Sequence, residues 1–212
     1  GMLVQAIPAY RLPREELGRE ISMIERMGAK LETGKMLGRD FTLQDLRWQG
    51  YDAVFLGVGA PDGVGLSLPG EEGGGVSEAL SFLREYNVNG TVAVGKQVAV
   101  VGGGNSAIDA ARTALRLGAD HVNILYRRQR EQMPAWAEEI LAADEEGITL
   151  LPLTTPKEIM RDNDGKITGV LCQKMALGDY DRSGRRRPVA GRNPDFIVPC
   201  DQVIAAIGQT LD

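Results

Sequence analysis

Three consecutive glycines open the stretch of this sequence whose residue types and spacing suit a charged ligand. Gly102 would allow a tight turn, Gly104 would let a pyrophosphate approach the backbone, and Ala107 is small enough for a helix to pack closely on a strand. The backbone N–H groups of the first helical turn and the positive end of the helix dipole would face the phosphates. The spacing predicts a dinucleotide-binding loop, and its candidate contacts are Gly102, Gly103, Gly104, Asn105, Ser106 and Ala107.

The elements around the glycines give this short motif its specificity. Val98–Val101 is an apolar run typical of a buried parallel strand, Ile108–Leu117 is amphipathic, and Val122–Leu125 is a second apolar run. Strand, glycine turn, helix and strand together occupy about thirty residues, which is the size of one βαβ unit. The sequence therefore places the glycine loop where a parallel sheet would bind a dinucleotide.

The end of the second apolar run indicates which nucleotide is favoured. An NAD site usually has Asp or Glu there, which accepts a hydrogen bond from the ribose 2′-OH. This chain instead has Arg127 and Arg128, and a guanidinium group fits a 2′-phosphate. The predicted cofactor is NADPH. A solvated arginine pair in a surface loop is the alternative, and a Rossmann-like domain for NAD or S-adenosylmethionine is disfavoured by the two arginines.

Other reactive residue types are sparse. Cys172 and Cys200 form no CxxC motif, and the single histidine, His121, has no partner at metal-ligand spacing. We expect two reduced, mostly buried thiols, a structural histidine and no metal site. No Ser/His/Asp set or carboxylate pair stands out, so no catalytic acid, base or nucleophile is predicted.

Composition excludes several classes of protein. The 212 residues are 43% hydrophobic and 25% charged, with a net charge of −5, which is typical of a globular protein and gives no reason to expect nucleic acid as a partner. No apolar run has the length of a membrane span, and none resembles a signal peptide. A cytoplasmic protein is expected.

Hydrophobic periodicity predicts further elements on both sides of the motif. A helix is predicted over Arg14–Met27, with Leu17, Ile21, Ile24 and Met27 on one buried face. Before the motif we also expect a strand at Ala29–Thr33, a helical turn at Asp40–Leu46 capped by Thr42 and Asp45, a buried strand at Tyr51–Val58, a loop over 61–75 and a helix at Val76–Tyr86.

After the motif the pattern changes from helices to strands. We expect a helix at Ala135–Glu146, strands at Ile148–Leu153 and Glu158–Arg161, a turn at Asp162–Gly165, a return strand at Ile167–Met175, and strands near Phe196 and at Gln202–Ala206. The basic stretch Arg182–Arg187 is either a solvated hairpin tip or a docking patch.

Several segments together resemble one family. IPAYRLPREELGREI, YDAVFLGVGA, LPGEE, VAVVGGGNSAIDAARTALRLGA, YRRQREQMPAWAEEI, SGRRRP and DQVIAAIGQ are similar to the small (beta) subunit of NADPH-dependent glutamate synthase and its relatives, which include dihydropyrimidine dehydrogenase and NADPH-linked ferredoxin oxidoreductases. The resemblance implies an α/β, Rossmann-like FAD/NAD(P)-binding fold: a parallel sheet flanked by helices, with a β-hairpin or meander insertion.

The resemblance also implies a division of the chain. Residues 1–88 would be part of an FAD-binding domain whose glycine motif lies upstream, 89–200 an NADPH-binding domain, and 201–212 a return strand into the FAD domain. The chain would be an internal fragment of a longer protein. Arg127 and Arg128 would bind the 2′-phosphate, and Ala206, Ile207 and Gly208 would lie near the nicotinamide.

The reaction implied by the resemblance is hydride transfer from NADPH to FAD, and from there to iron–sulfur clusters of the parent protein or a partner, none of them in this chain. The partner would be the rest of the flavoprotein or a large catalytic subunit. Without the missing FAD-binding parts the chain would be inactive, and open strand edges in its N-terminal third would make it a homo-oligomer. The alternative is a stand-alone NADP-binding module without catalysis.

Overall fold

The computed structural model of the protein describes residues 1–180, 184 and 186–211. The helices are α1 Met2–Gln5, α2 Arg14–Arg26, α3 Leu43–Trp48, α4 Ala79–Asn89, α5 Asn105–Arg116 and α6 Ala137–Glu145, with a 3₁₀ turn at Arg130–Gln132. The strands are β1 Asp62–Gly63, β2 Val76–Glu78, β3 Gln97–Gly102, β4 His121–Tyr126, β5 Thr149–Pro152, β6 Thr154–Arg161, β7 Ile167–Tyr180, β8 Arg186–Ala190, β9 Phe196–Val198, β10 Gln202–Ala206 and β11 Gln209–Thr210.

A parallel five-stranded sheet with the order β2-β10-β3-β4-β5 is the centre of the fold. The unit β3-α5-β4 is the predicted βαβ unit, and Val98 lies beside Val122 in its ladder. Both faces of this sheet are covered, so its strands are apolar at consecutive positions rather than alternating. Val98 and Val100 pack with helices α4, α5 and α6, while Ala99 and Val101 pack on the opposite face. The predicted α/β fold class is confirmed.

The second face of the parallel sheet is covered by an antiparallel sheet of β6, β7 and β8, with β9 paired to β7. Ile159, Val170 and Cys172 from this sheet form the second apolar cluster with Ala99 and Val101. The turn between β6 and β7 is the one predicted at Asp162–Gly165. There the carboxylate of Asp162 accepts hydrogen bonds from the backbone of residues 164 and 166.

The prediction of two strands in the N-terminal third was wrong. Ala29–Thr33 and Tyr51–Val58 are irregular, and the second segment is exposed, with 94% of Phe55 accessible to solvent. Strand propensity is realised only where a neighbouring backbone completes the ladder. Among the described residues no strand pairs with either segment.

Helix α2 begins at the predicted Arg14 and ends at Arg26, one residue before the predicted end, but its predicted buried face was wrong. Leu17 and Ile21 are partly covered, whereas Ile24 and Met27 are 53% and 80% exposed. The predicted cap of the next helix is confirmed, because the Thr42 hydroxyl and the Asp45 carboxylate form a capping box at the start of α3. Local signals of this kind need no tertiary partner, unlike a buried face.

Two assignments near the sheet also change. Helix α4 begins at Ala79 rather than Val76, because Val76–Glu78 forms strand β2 beside β10. The resemblance grouped Gln202–Ala206 with the strands predicted in the N-terminal third. That grouping was wrong, since β10 lies between β2 and β3 in the nucleotide-binding sheet. The predicted division into 1–88, 89–200 and 201–212 otherwise remains a prediction.

The predicted basic loop at Arg182–Arg187 falls only partly within the described chain. Residues 182, 183 and 185 lie outside the described residues, while Arg186 and Arg187 begin β8. In the described part of the chain, no helix is long and apolar enough to cross a membrane.

Candidate dinucleotide-binding site

A cavity of 740 Å³ lies at the carboxyl ends of β3, β4 and β10. In an open parallel α/β sheet this edge is where ligands bind. The cavity brings together most of the predicted site residues although they come from three separate stretches of chain. It is lined by Gly102, Gly103, Gly104, Ser106, Arg127, Arg128, Ala206, Ile207 and Gly208, together with residues that the sequence did not indicate.

The three glycines have different surroundings. Gly102 has a φ of 151°, and a Cβ there would overlap the carbonyl oxygen of Ala206 on β10. A Cβ at Gly103 would lie 2.5 Å from the Tyr126 ring. At Gly104 the nearest atom to a Cβ would be Cγ of Pro134, 4.0 Å away. The first two glycines therefore let the chain pack, whereas the space beside Gly104 is open.

Helix α5 begins beside that open space with Gly104 as its N-cap, and no side chain in the described part of the chain caps it. Its first N–H groups therefore remain available to an anion. The side chain of Asn105 is turned away: its Oδ1 accepts a hydrogen bond of 3.1 Å from the backbone N–H of Trp136. Ala107 is fully buried, where it packs in the apolar cluster rather than lining the cavity. The backbone of this turn is thus the candidate phosphate-binding element.

The two predicted arginines differ in exposure. Arg127 is exposed at the end of β4, whereas only 6% of Arg128 is accessible. The Nε of Arg128 donates a 3.1 Å hydrogen bond to the carbonyl of Arg186, and the carbonyl of Arg128 accepts one of 3.0 Å from Leu153. Both arginines line the cavity. Arg127 is thus the exposed cation of the cavity wall, whereas Arg128 is buried and held by hydrogen bonds.

Ala206, Ile207 and Gly208 form the opposite side of the cavity as β10 ends. The carbonyl of Gly208 accepts a 3.2 Å hydrogen bond from Val64, and β1 pairs with β11 next to it. The carboxylate of Glu78 accepts a further bond of 3.1 Å from the backbone of Gly63. These bonds hold the turn after β10 in place.

Sequence reasoning missed several residues of the cavity wall. Thr154 and Thr155 line it from the start of β6. Leu153, just before them, has a left-handed φ of 51°, so the chain changes direction between β5 and β6. The sequence predicted a strand running through Leu153, because a left-handed leucine has no sequence signal.

The loop before β2 supplies further missed residues, among them Leu66 and Leu68. The carboxylate of Glu71 anchors this loop, because it accepts hydrogen bonds of 2.6 and 3.1 Å from the backbone of these two leucines. The Leu-Pro-Gly-Glu-Glu segment was one of those that resemble the family, but the resemblance did not indicate that the loop lines a cavity.

The thiols lie in the second apolar cluster. Cys172 and Cys200 are both free and buried, and burial raises the pKa of each to about 12. Neither is a thiolate at neutral pH, so neither acts as a nucleophile. Among the described residues, no three His, Cys, Asp or Glu side chains lie close enough to hold a metal ion.

The family profile of the pyridine nucleotide-disulphide oxidoreductases matches residues 9–212, which is nearly the whole chain. The chain belongs to the pyridine nucleotide-disulphide oxidoreductase family. Its relatives in this family include the NADPH-Fe(3+) oxidoreductase subunit beta of Geobacter sulfurreducens, which is 43% identical over 215 residues. The glutamate synthase [NADPH] small chain of Escherichia coli is 37% identical over 219 residues, so the resemblance to glutamate synthase is confirmed.

Both relatives are much longer than this member of the pyridine nucleotide-disulphide oxidoreductase family. The chain is covered over 100% and 98% of its length in these matches, but it spans only 32% of the Geobacter relative and 46% of the Escherichia relative.

Solved structures agree with the fold. FprA from Mycobacterium tuberculosis, solved in complex with NADPH, aligns over 99% of this chain and 61% of its own, with a TM-score of 0.81 and 18% identity.

Proposed function

We propose that this chain is the NADPH-binding module of a flavin-dependent oxidoreductase of the glutamate synthase small-subunit type. One observation carries the proposal: the glycine loop, the uncapped start of α5 and the exposed Arg127 line a single cavity at the carboxyl edge of a parallel sheet. The names of the relatives, an NADPH-Fe(3+) oxidoreductase subunit and a glutamate synthase [NADPH] small chain, support the choice of nucleotide.

The residues at this edge fit the charged parts of NADPH. The open space beside Gly104 admits a pyrophosphate, to which the backbone N–H groups of Asn105 and Ser106 would donate hydrogen bonds. Arg127 and Arg128 would hold the 2′-phosphate, where a carboxylate would repel it. The nicotinamide would then lie toward Ala206, Ile207 and Gly208, on the other side of the cavity.

When bound, NADPH supplies a hydride, which in the proposed parent protein passes to FAD and on to iron–sulfur centres. The work of this chain is to hold the nicotinamide and to exclude water. The apolar side chains of Leu66, Leu68 and Leu80 line the cavity and suit that task. A hydride step needs no proton from the protein, in keeping with a cavity wall that has no carboxylate or histidine among the described residues.

FAD would be bound by residues within 1–88 and by the residues that follow β10, together with further parts of the parent protein. The exposed apolar segment Tyr51–Val58 supports this assignment, because it has the composition of a buried strand. The isolated chain is then proposed to be inactive. The relatives named as subunit beta and small chain support a partner subunit for the parent protein, and buried free thiols support a cytoplasmic location.

A stand-alone NADP-binding module is the second candidate, and one observation favours it. The sequence contains no second glycine motif of this kind that would bind a flavin. The genomic DNA on either side of the coding region distinguishes the candidates. A GxGxxG motif upstream and a Gly-Asp segment downstream would support the flavoenzyme, and their absence would support the stand-alone module.

Calorimetric titration of the chain with NADP⁺ and NAD⁺ tests the binding function. We expect selective binding of NADP⁺, and about tenfold to hundredfold weaker binding in Arg127→Ala, because one charge-assisted contact to the 2′-phosphate is lost. Arg130→Ala is the matched control, since Arg130 is a nearby arginine that pairs with Asp144. Equal affinity of the wild type for both nucleotides would contradict the assignment to NADPH.

A further inference from the structure

Both the side chain and the backbone carbonyl of Arg128 make hydrogen bonds that link it to the antiparallel sheet. Its Nε donates to the carbonyl of Arg186 on β8 at 3.1 Å, and its own carbonyl accepts from the N–H of Leu153 at 3.0 Å. The carbonyl of Leu153 in turn accepts a 2.7 Å hydrogen bond from Met175 on β7. The β7–β8 hairpin therefore contacts a residue that follows β4 of the nucleotide-binding sheet, at the point where a 2′-phosphate would bind.

The side chain of Arg186 holds this hairpin together. Its Nε donates to the carbonyl of Gly178 at 2.9 Å, and its Nη2 donates to the carbonyl of Leu177 at 2.7 Å. The ladder between β7 and β8 is irregular between Leu177 and Tyr180. The guanidinium of Arg186 bridges the two strands at this irregularity and fixes the position of its own backbone carbonyl, the group that Arg128 contacts.

We infer that Arg186 is a positioning residue for nucleotide selectivity, acting on the 2′-phosphate through Arg128. This inference rests on the proposed function. The guanidinium of Arg186 donates to two backbone carbonyls of β7, so its contribution is the fixed carbonyl that orients Arg128 rather than a contact with the ligand. Orienting Arg128 in advance lowers the entropy cost of forming its bond to the phosphate.

Arg187 provides a matched control. It follows Arg186 on the same strand, is also exposed, and carries the same charge. In the described part of the chain its side chain makes no hydrogen bond or ion pair. Arg187→Ala therefore removes one positive charge near the site without releasing the hairpin, which separates a positioning effect from general electrostatic attraction.

The test is calorimetric titration of the wild type, Arg186→Ala and Arg187→Ala with 2′,5′-ADP and 5′-AMP. These probes differ only by the 2′-phosphate, and their affinity ratio does not depend on how much of a variant is folded. We expect Arg186→Ala to reduce the preference for 2′,5′-ADP about fivefold to tenfold, with little change for 5′-AMP and with the preference retained in Arg187→Ala.

The other outcomes overturn either the inference about Arg186 or the proposed function. A wild type that prefers 2′,5′-ADP and an Arg186→Ala variant with the same preference would overturn the inference and leave the proposed function standing. Equal losses in Arg186→Ala and Arg187→Ala would also overturn it, because general charge would then explain the effect. A wild type without any preference for 2′,5′-ADP would overturn the proposed NADPH function itself.

Discussion

Arg11 and Asp109 form an ion pair although 98 residues separate them in the chain. The Nη1 of Arg11 lies 2.9 and 2.8 Å from the two carboxylate oxygens of Asp109, and its Nε lies 3.0 Å from Glu139. Asp109 lies on α5, the helix whose start faces the cavity, and only 4% of it is exposed. This ion pair joins the segment before α2 to α5, the helix whose start would bind the pyrophosphate.

Removing Arg11 alone should destabilise the protein more than removing the charges of both Arg11 and Asp109. Burial raises the pKa of Asp109 while Arg11 opposes the shift, so Arg11→Ala leaves a buried carboxylate without its partner. We expect a loss of about 2–3 kcal/mol in the free energy of unfolding by urea. In Arg11→Ala/Asp109→Asn the buried carboxylate of Asp109 is removed as well, so part of this loss should be recovered. A double variant less stable than Arg11→Ala would refute this account of the ion pair.

The stability of the α5–α6 contact should depend on pH through Glu146. Its carboxylate accepts hydrogen bonds from Arg116 and Arg112, which lower its pKa from 4.5 to about 2. Because the folded-state pKa is depressed, the stabilisation is complete above the unfolded-state value of 4.5 and is lost as the pH falls toward 2.

The matching variant is Glu146→Gln, which keeps an acceptor but removes the charge. We expect it to be about 2 kcal/mol less stable than the wild type at pH 7, a figure reduced for partial solvent screening, and the difference should disappear between pH 4.5 and 2. Urea unfolding at several pH values measures this difference, and comparison with the variant cancels the contribution of Asp109. If the free energies of unfolding of the wild type and Glu146→Gln differed by the same amount from pH 4.5 to 2, Glu146 would be excluded as the source of the pH dependence.

The glycine loop gives a prediction that separates folding from binding. Gly102→Ala should destabilise the protein by about 2–4 kcal/mol, because the new methyl group would overlap the Ala206 carbonyl and the φ of 151° disfavours alanine. Gly104→Ala should fold normally, since its methyl group would meet only Pro134, but it should weaken NADP⁺ binding about tenfold or more by filling the space for the pyrophosphate. Thermal unfolding and calorimetry together measure both effects. Unchanged NADP⁺ affinity in Gly104→Ala would place the pyrophosphate elsewhere.

The sequence was informative where the deciding contacts are local. The β3-α5-β4 unit depends on apolar runs, three glycines and a helix within one short stretch, and the capping box at Thr42 and Asp45 depends on two residues three positions apart. Such local contacts follow from the geometry of single helices, strands and turns, and the pattern of residue types along the chain specifies that geometry.

The prediction failed where a residue depends on a distant partner. Tyr51–Val58 has the composition of a buried strand but lacks a neighbouring strand among the described residues. The bond between Arg128 and Arg186 joins residues 58 positions apart at an irregular point of a hairpin, and no residue pattern encodes it. The sequence therefore predicted many of the residues that line the cavity, but not which of them are held in place by distant partners.

The exposed apolar surface of the N-terminal third predicts self-association of the isolated chain. Phe55 and Val58 are 94% and 71% exposed, and among the described residues no strand pairs with the backbone around them, which is therefore open to a second molecule. We expect the sedimentation coefficient of the chain to rise with concentration. Phe55→Asp/Val58→Asp should lower the association constant by about tenfold or more, whereas the surface control Glu20→Gln on α2 should not. A sedimentation profile that remains monomeric at high concentration would refute the prediction.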